Sequence, residues 1–396
     1  MRIPRIQLCL SLGLAAFLAN AGAKAQPVIK AQESAADEQP APPGELPPPT
    51  APREDLPRVE LHGGAYFWYY QPVANAVGIT PDDNNIELTL ASLEFEGRLD
   101  DFGLVLNPRF RDSEAREFFT SNVWIEQAYA FFQRKYVTAK VGKIYSKLSP
   151  IWDDCFYGSL LYFEGFKLDS NYGLSLEGDF EMENGFGLSY YGQYFLLDGG
   201  TNGSLRDRDT VWVAGDVHRR HTTLARVEPS YRFNKRTSLR LGAVAQYTYV
   251  DFTTEENDLP PNGVMRVGGD LSFRYGPIKV FGEFIAQFGK TVSDYPIAGI
   301  PATATSPAIP GKSSAHNHYL LAGANFQLWR INARYSFSYI NYRDVNVQEI
   351  LHLPGLTLNV HDNVALLLEY AYLPRSEGGK KSTLDNSLNA TIYARF

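Results

Sequence analysis

The chain of 396 residues contains only two cysteines, Cys9 and Cys155. Cys9 lies in a segment that we expect to be cleaved, so the mature protein keeps one thiol and cannot form an internal disulfide. Beyond that segment the chain also lacks any apolar run near the roughly 20 residues that a membrane helix needs. Basic residues are fewer than acidic ones, 37 against 44, which disfavours a nucleic-acid partner. A soluble domain and a membrane β-barrel both remain, because only alternate residues of a barrel strand meet lipid.

The N-terminus has the pattern of a secretory signal. Two arginines precede a mostly apolar stretch, and Ala23-Lys24-Ala25 supplies the small-x-small cleavage pattern. We therefore predict a signal peptide over residues 1–25. Residues 26–57 hold nine of the 24 prolines and no aromatic residue, which predicts an extended, acidic linker on the periplasmic side.

Residues 387–396 alternate strictly between polar and apolar side chains, and the chain ends on Phe396. A period of two predicts a strand with one apolar face. A final strand that ends on an aromatic residue is typical of bacterial outer-membrane β-barrels. We therefore predict that Phe396 is the signal recognised by the barrel assembly machinery, and that the protein sits in the outer membrane in contact with lipid and lipopolysaccharide.

From residue 58 onward, alternating segments are separated by connections that switch between short and long. Seven short connections and eight long ones join sixteen strands. This predicts an all-β protein, an antiparallel transmembrane β-barrel over 58–396 with short periplasmic turns and long external loops. The predicted turns are 99–102, 133–135, 169–172, 234–236, 275–277, 329–330 and 361–363; the predicted loops are 72–84, 113–121, 145–158, 197–221, 252–262, 290–317, 343–349 and 374–386.

The region 173–221 leaves the strand count open. Glu183-Asn184-Gly185 has the composition of a tight turn, and an apolar segment follows it. If that hairpin crosses the membrane, the barrel has eighteen strands. We favour sixteen, with the hairpin standing outside.

The later strands carry apolar rows that alternate with basic residues. Leu241, Met265 and Tyr335 belong to such rows. Charged groups are costly on the lipid face, so the apolar rows should face lipid and the basic residues the lumen. The predicted basic lining is Arg226, Arg232, Arg240, Arg266, Arg274, Lys279 and Arg334.

Acidic residues gather on other strands. The predicted acidic lining is Glu87, Glu94, Glu177, Asp179 and Glu181. Glu87 differs in parity from Glu94, so the second strand needs a bulge near Ala91. Two interpretations remain: opposite walls of opposite charge that create a transverse field and sort ions, or lumen charges that pair with one another.

The segment 145–158 mixes apolar side chains with Lys147, Asp153 and Asp154. An external loop in water has little use for such apolar residues, so we predict that this loop folds into the lumen and narrows it. Cys155 within it is interpreted as a small buried side chain and not as a reactive thiol.

One stretch resembles a known family. Ile125-Glu-Gln-Ala-Tyr-Ala-Phe-Phe-Gln, followed by Val137-Thr-Ala-Lys-Val-Gly-Lys143 and a loop with Pro150, is similar to a region of phosphate-selective porins of the O/P type and their relatives. The resemblance implies a trimeric sixteen-stranded channel whose third loop enters the pore. We therefore expect a porin for passive diffusion of small hydrophilic or ionic solutes, with a substrate-specific, phosphate-type anion channel as the alternative.

An enzymatic function would depend on four histidines that are predicted in or beside external loops: His218, His221, His316 and His318. No nucleophile motif accompanies them, and no acid or thiol cluster completes a metal site. We expect no enzyme, no metal and no cofactor. A structural, adhesive or hydrolytic barrel remains the third option.

Overall fold

The computed structural model describes residues 58–76, 85–111, 123–149, 157–160, 170–197, 217–252, 262–293 and 312–396. They form a closed antiparallel barrel in which each of sixteen strands pairs with its neighbours along the chain, so the predicted strand count is confirmed. None of the helical turns in these ranges is long and apolar enough to cross a membrane. The strands are β1 (Arg58–Pro72), β2 (Asn85–Leu99), β3 (Phe102–Phe110), β4 (Val123–Arg134), β5 (Val137–Tyr145), β6 (Ser170–Glu181), β7 (Phe186–Leu197), β8 (Val217–Asn234), β9 (Thr237–Phe252), β10 (Asn262–Tyr275), β11 (Ile278–Ser293), β12 (Lys312–Leu328), β13 (Ile331–Tyr342), β14 (Val347–His361), β15 (Val364–Glu377) and β16 (Lys380–Arg395).

The first and last strands close the barrel. Their register pairs Gly64 with Arg395 and continues to Pro72 with Ser387. The two main-chain hydrogen bonds between Gly63 and Phe396 extend the ladder to the final residue, at 3.1 and 3.0 Å. A Cβ on Gly63 would lie 2.4 Å from the Phe396 ring, so the ring occupies the space beside that glycine.

The alternation of side chains matches the two faces of the barrel wall. Leu241, Met265 and Tyr335 are 45%, 46% and 44% exposed on the outer surface. Their neighbours on the inner side, including Arg266 and Arg334, are buried. Such a continuous apolar exterior is stable only against lipid.

The chain between β5 and β7 differs from the prediction. The predicted turn 169–172 lies at the start of β6, where Ser170 and Asn171 are buried and paired with β5. The turn that follows is the tight one at Glu183-Asn184-Gly185, closed by the Gly185 N–H donating to the Met182 carbonyl at 3.0 Å. The hairpin β6–β7 is part of the barrel wall, so the prediction that it stands outside is wrong. The total stays at sixteen because β5 pairs directly with β6.

Two predicted external loops are shorter than expected. A 3₁₀ turn, Arg343–Val345, and Asn346 join β13 to β14, and Gly378 and Gly379 alone join β15 to β16. Both glycines have positive φ, 55° and 84°, which permits a two-residue turn. A strand end that projects past the lipid needs no apolar face. The polar segment 374–386 therefore has the composition of a loop, although its residues continue the pairing of β15 with β16.

The bulge predicted in β2 is present. Tyr66 pairs with Leu90 and Phe67 with Leu88, so Thr89 is the additional residue, two positions from the predicted Ala91. The bulge restores the phase of the strand. Glu87 then pairs with Trp68, as Glu94 pairs with His62.

Candidate functional site

The inner wall contains a buried ion-pair network on β8–β10. The Arg226 guanidinium contacts Glu228 at 2.5 Å and Asp270 at 2.5 Å, and the three side chains are 0%, 5% and 1% exposed. Arg240 lies 3.8 Å from Glu228. The Arg226–Asp270 pair spans β9 at Gly242, where a Cβ would lie 2.1 Å from the Asp270 carboxylate. A glycine is therefore required at the point where the pair crosses the strand.

The other predicted basic residues also have polar or aromatic neighbours. Arg266 donates to Gln287 at 2.7 Å and to Gln246 at 3.0 Å. Arg334 donates to Glu369 at 2.5 Å and to Thr357 at 2.7 Å.

Three more occupy more accessible positions. Arg232 is 3.0 Å from Glu181 beside the β6–β7 turn, and both side chains are more than half exposed. The Lys279 ammonium lies 5.7 Å from the Phe281 ring centre. Arg274 pairs across the ladder with Ser238 and Lys279.

The predicted acidic residues lie on β2 and β6. Glu177 pairs with Lys140, and Glu94 accepts a hydrogen bond from Asn107 at 3.1 Å. Asp179 is exposed on β6, and Glu181 pairs with Arg232. For Glu87 the structure describes the strand position, and its side chain lies outside the described atoms.

The separation into a basic and an acidic wall is not what the described side chains form. Six carboxylates that the predicted lining did not include are buried on β8–β16: Glu228, Asp270, Glu283, Glu349, Glu369 and Asp385. Glu228 and Asp270 contact Arg226, Glu369 contacts Arg334, and Glu349 lies 3.7 Å from Arg375. The pairing interpretation describes this wall better than the transverse field, because opposite charges at 2.5 Å largely cancel each other's distant field. The sequence does contain a sign of this pairing. Asp270 is four residues from Arg266 on the same strand, so both side chains face the lumen.

Two parts of the loop between β5 and β6 are described, residues 146–149 and 157–160, and both contact inward-facing side chains. The Lys147 N–H donates to the Gln193 amide oxygen at 2.8 Å on β7. In the second described part, the Leu160 N–H donates to Ser338 at 3.1 Å and the Tyr157 N–H to Glu369 at 3.0 Å. These partners belong to β13 and β15, so the two described parts of the loop lie against well-separated portions of the wall.

Apolar packing accompanies these hydrogen bonds. Leu148 and Leu160 are 1% and 0% exposed and share one buried cluster with inward-facing residues of β8–β16. The cluster includes Leu321, Leu351 and Leu353, so part of the inner wall is apolar and covered. Asp153 and Asp154, together with Cys155, lie outside the described residues.

Burial shifts the pKa values of two titratable groups in this loop. Burial lowers the pKa of Lys147, and the nearby Glu177 carboxylate partly opposes that effect. Its ammonium lies 5.3 Å from the centre of the Tyr191 ring. Burial also raises the pKa of Tyr157, and the adjacent Asp385 carboxylate, which accepts a hydrogen bond from the phenol, adds to the increase.

The histidines do not converge on one site. His221 lies 2.7 Å from the Tyr194 hydroxyl on the outer surface, and His316 lies 3.2 Å from Asp344. His318 contacts the Phe284 ring, and the His218 side chain is not among the described atoms. Within the described ranges, no three His, Cys, Asp or Glu side chains are grouped to hold a metal ion.

An even number of antiparallel strands in a closed ring, apolar outside and charged inside, defines the class as an outer-membrane β-barrel. No protein-family model matches the chain. No curated protein sequence matches it either.

Solved structures with the same fold are porins and outer-membrane channels. The chain is similar to the outer-membrane channel DcaP of Acinetobacter baumannii, with TM-score 0.59 and 13% identity over 86% of this chain and 97% of that one. It is similar to OmpF of Salmonella typhi, solved with daunomycin, at TM-score 0.59 and 13% identity over 85% and 97%. The trimer form of OmpT, an outer membrane protein of Vibrio cholerae, has TM-score 0.53 and 10% identity over 86% and 99%. At these identities the likeness establishes the porin fold.

Proposed function

We propose that the chain is an outer-membrane porin, a water-filled channel for passive diffusion of small hydrophilic or ionic solutes. The observation that carries the proposal is the distribution of charge across the wall: ionisable side chains on the inner face of a closed barrel whose outer face is apolar. Several inner charges stay accessible, with Lys140 and Arg240 at 24% and 23% exposure. A plugged structural barrel would have no need of them.

Conductance in planar bilayers tests this proposal. Purified protein should produce discrete steps whose size scales with bulk salt concentration. The variant His218→Ala/His221→Ala is the control for the hydrolytic alternative, and its steps should equal those of the parent. A protein that inserts but never conducts, or that hydrolyses a substrate in a manner lost with these histidines, would overturn the proposal.

The phosphate-type alternative receives less support. Selective binding of a small anion needs several basic side chains facing the same water-filled space. Arg226 and Arg334 are instead buried against carboxylates at 2.5 Å, which consumes their charge locally. We therefore propose a general porin, with phosphate selectivity tested by block of chloride current on addition of phosphate.

We further propose that the loop between β5 and β6 forms the constriction, with Lys147, Asp153 and Asp154 setting the ion preference. The contacts of its two described parts with the inner wall support an inward course. Like charges in a narrow passage raise the local counter-ion concentration. Asp153→Asn with Asp154→Asn should move the reversal potential toward anions, and the shift should shrink at 1 M salt, where the Debye length is about 3 Å. Wild-type selectivity in the double variant would place the aspartates outside the pore.

A homotrimer, assembly through Phe396, and processing after residue 25 complete the proposal. The trimer form of one structural neighbour supports the first, together with the short strands β3 and β5 and their exposed Leu104, Leu106 and Val141. Cross-linking in native outer membranes should give a trimer band. N-terminal sequencing of protein from that membrane should begin at Gln26.

A further inference from the structure

A column of aromatic side chains follows the inner face of β1. Tyr66, Trp68 and Tyr70 lie at alternate positions, so their Cα atoms are about 6.8 Å apart along the strand. Tyr66 stacks on Tyr393 of β16, with ring centres 4.4 Å apart and planes 17° apart. Trp68 and Tyr70 meet edge to face at 5.5 Å. All three residues are half-buried on the inner side of the wall.

The column continues onto the loop between β5 and β6. Tyr70 donates its hydroxyl proton to Asp385 at 2.9 Å, and the Tyr157 hydroxyl donates to the other oxygen of the same carboxylate. Tyr157, in the described segment 157–160 of this loop, therefore lies beside Tyr70. We call the five residues Tyr66, Trp68, Tyr70, Tyr157 and Tyr393 the aromatic track.

The track is held in place by buried polar groups of β16. The Trp68 indole N–H donates to the Asn389 amide oxygen at 2.9 Å, and the Asn389 amide donates to Ser387 at 3.0 Å. Asn389 and Ser387 are 2% and 0% exposed. The bond to Asn389 therefore fixes the edge of the Trp68 indole against β16.

The neighbouring wall offers hydrogen-bonding groups of both signs. His62, Glu94 and Arg109 are partly exposed on β1–β3, the strands next to the track. His62 lies 3.4 Å from Glu60, and the Arg109 guanidinium lies 3.8 Å from Glu126. A solute of one charge would meet opposing groups here. A neutral solute with many hydroxyls could use donors and acceptors alike.

We propose that the aromatic track binds the sugar rings of neutral carbohydrates as they cross the lumen, an inference that rests on the channel function proposed above. A sugar ring has C–H groups that pack on an aromatic face and hydroxyls around its rim that need hydrogen-bond partners. Aromatic rings at alternate positions of one strand, flanked by polar side chains, meet both requirements. Successive rings of a linear oligosaccharide would contact successive members of the track.

The test is calorimetric titration of the full-length mature protein in detergent with linear glucose oligomers from two to six units, alongside sugar-induced interruption of the ion current. Affinity for wild-type protein should rise with oligomer length. Trp68→Leu removes the aromatic face and should weaken binding about threefold to tenfold. Trp68→Phe keeps a ring, loses the bond to Asn389, and should retain most of the affinity. Polyethylene glycol of matched size should not bind.

Phe67→Ala is the matched control, because Phe67 is adjacent in sequence but pairs with Ile392 and Leu88 on the lipid side. Its affinity should equal that of the wild type. If Trp68→Leu does not fold, Tyr66→Leu takes its place. Sugar affinity unchanged by loss of the ring, no binding of any oligomer, or binding of free aromatic compounds without sugars would each overturn the proposal. Binding without ion conductance would instead refute the channel function and leave the track standing.

Discussion

Removal of Arg226 should destabilise the barrel more than removal of any exposed arginine. In Arg226→Met the carboxylates of Glu228 and Asp270, 5% and 1% exposed, lose the cation that both contact at 2.5 Å. A buried charge pair broken from one side typically costs about 3–5 kcal/mol. Arg240, 3.8 Å from Glu228, compensates only part of this loss. We therefore expect a loss near 3 kcal/mol.

The assay is equilibrium unfolding by urea of protein inserted in lipid vesicles. The folded fraction is measured from its heat-dependent migration in gels. Arg232→Met is the matched control, because Arg232 and its partner Glu181 are 51% and 59% exposed and such a pair contributes roughly 0–1 kcal/mol. Arg226→Met combined with Glu228→Gln and Asp270→Asn should recover most of the stability, since no unpaired charge remains. An equal loss of stability in Arg226→Met and Arg232→Met would show that water reaches the Arg226 network, and would refute the argument from its burial.

Three further predictions concern closure and the loop. Gly63→Leu should lower stability by about 1–3 kcal/mol, because its Cβ would lie 2.4 Å from the Phe396 ring, while Gly97→Ala, with no atom within 4 Å, should be neutral in the same urea titration. Deletion of Phe396 removes two main-chain hydrogen bonds to Gly63 and should reduce the folded fraction in outer-membrane extracts; undiminished assembly would refute its role. Burial lowers the pKa of Lys147, so as the pH rises this side chain should lose its positive charge before reaching the pH of about 10.4 at which a free lysine titrates. The preference of the channel for cations should therefore increase with pH in the wild type and stay constant in Lys147→Gln.

The fold was largely readable because alternation is a local property. Each strand's two faces follow from its own residues, and the inward positions of Arg266 and Arg334 were predicted in this way. Turn assignment was weaker where polar residues continue a strand, as at Ser170 and Asn171, or extend it past the lipid, as at Lys380. Both errors have the same cause, since polarity alone does not distinguish a turn from a solvated strand end.

The candidate site was less readable because its contacts join distant segments. Asp270 neutralises Arg226 across an intervening strand, and a sequence does not give the register that brings them together. Ser338, Glu369 and Asp385 hold the loop segment 157–160 from strands that lie 178, 212 and 228 residues further along the chain. The aromatic track likewise depends on β16 lying beside β1, and this follows only from closure of the ring.

That closure also limits how such a protein can change in width. Trp68 and Asn389 are 321 residues apart in the chain and 2.9 Å apart across the seam. Because the seam is antiparallel, a single added or lost strand would bring the two end strands together in parallel and place the chain's ends on opposite sides of the membrane. As long as the seam stays antiparallel, strands can be added or removed only as whole hairpins, so the strand number, and the lumen with it, changes in steps of two strands.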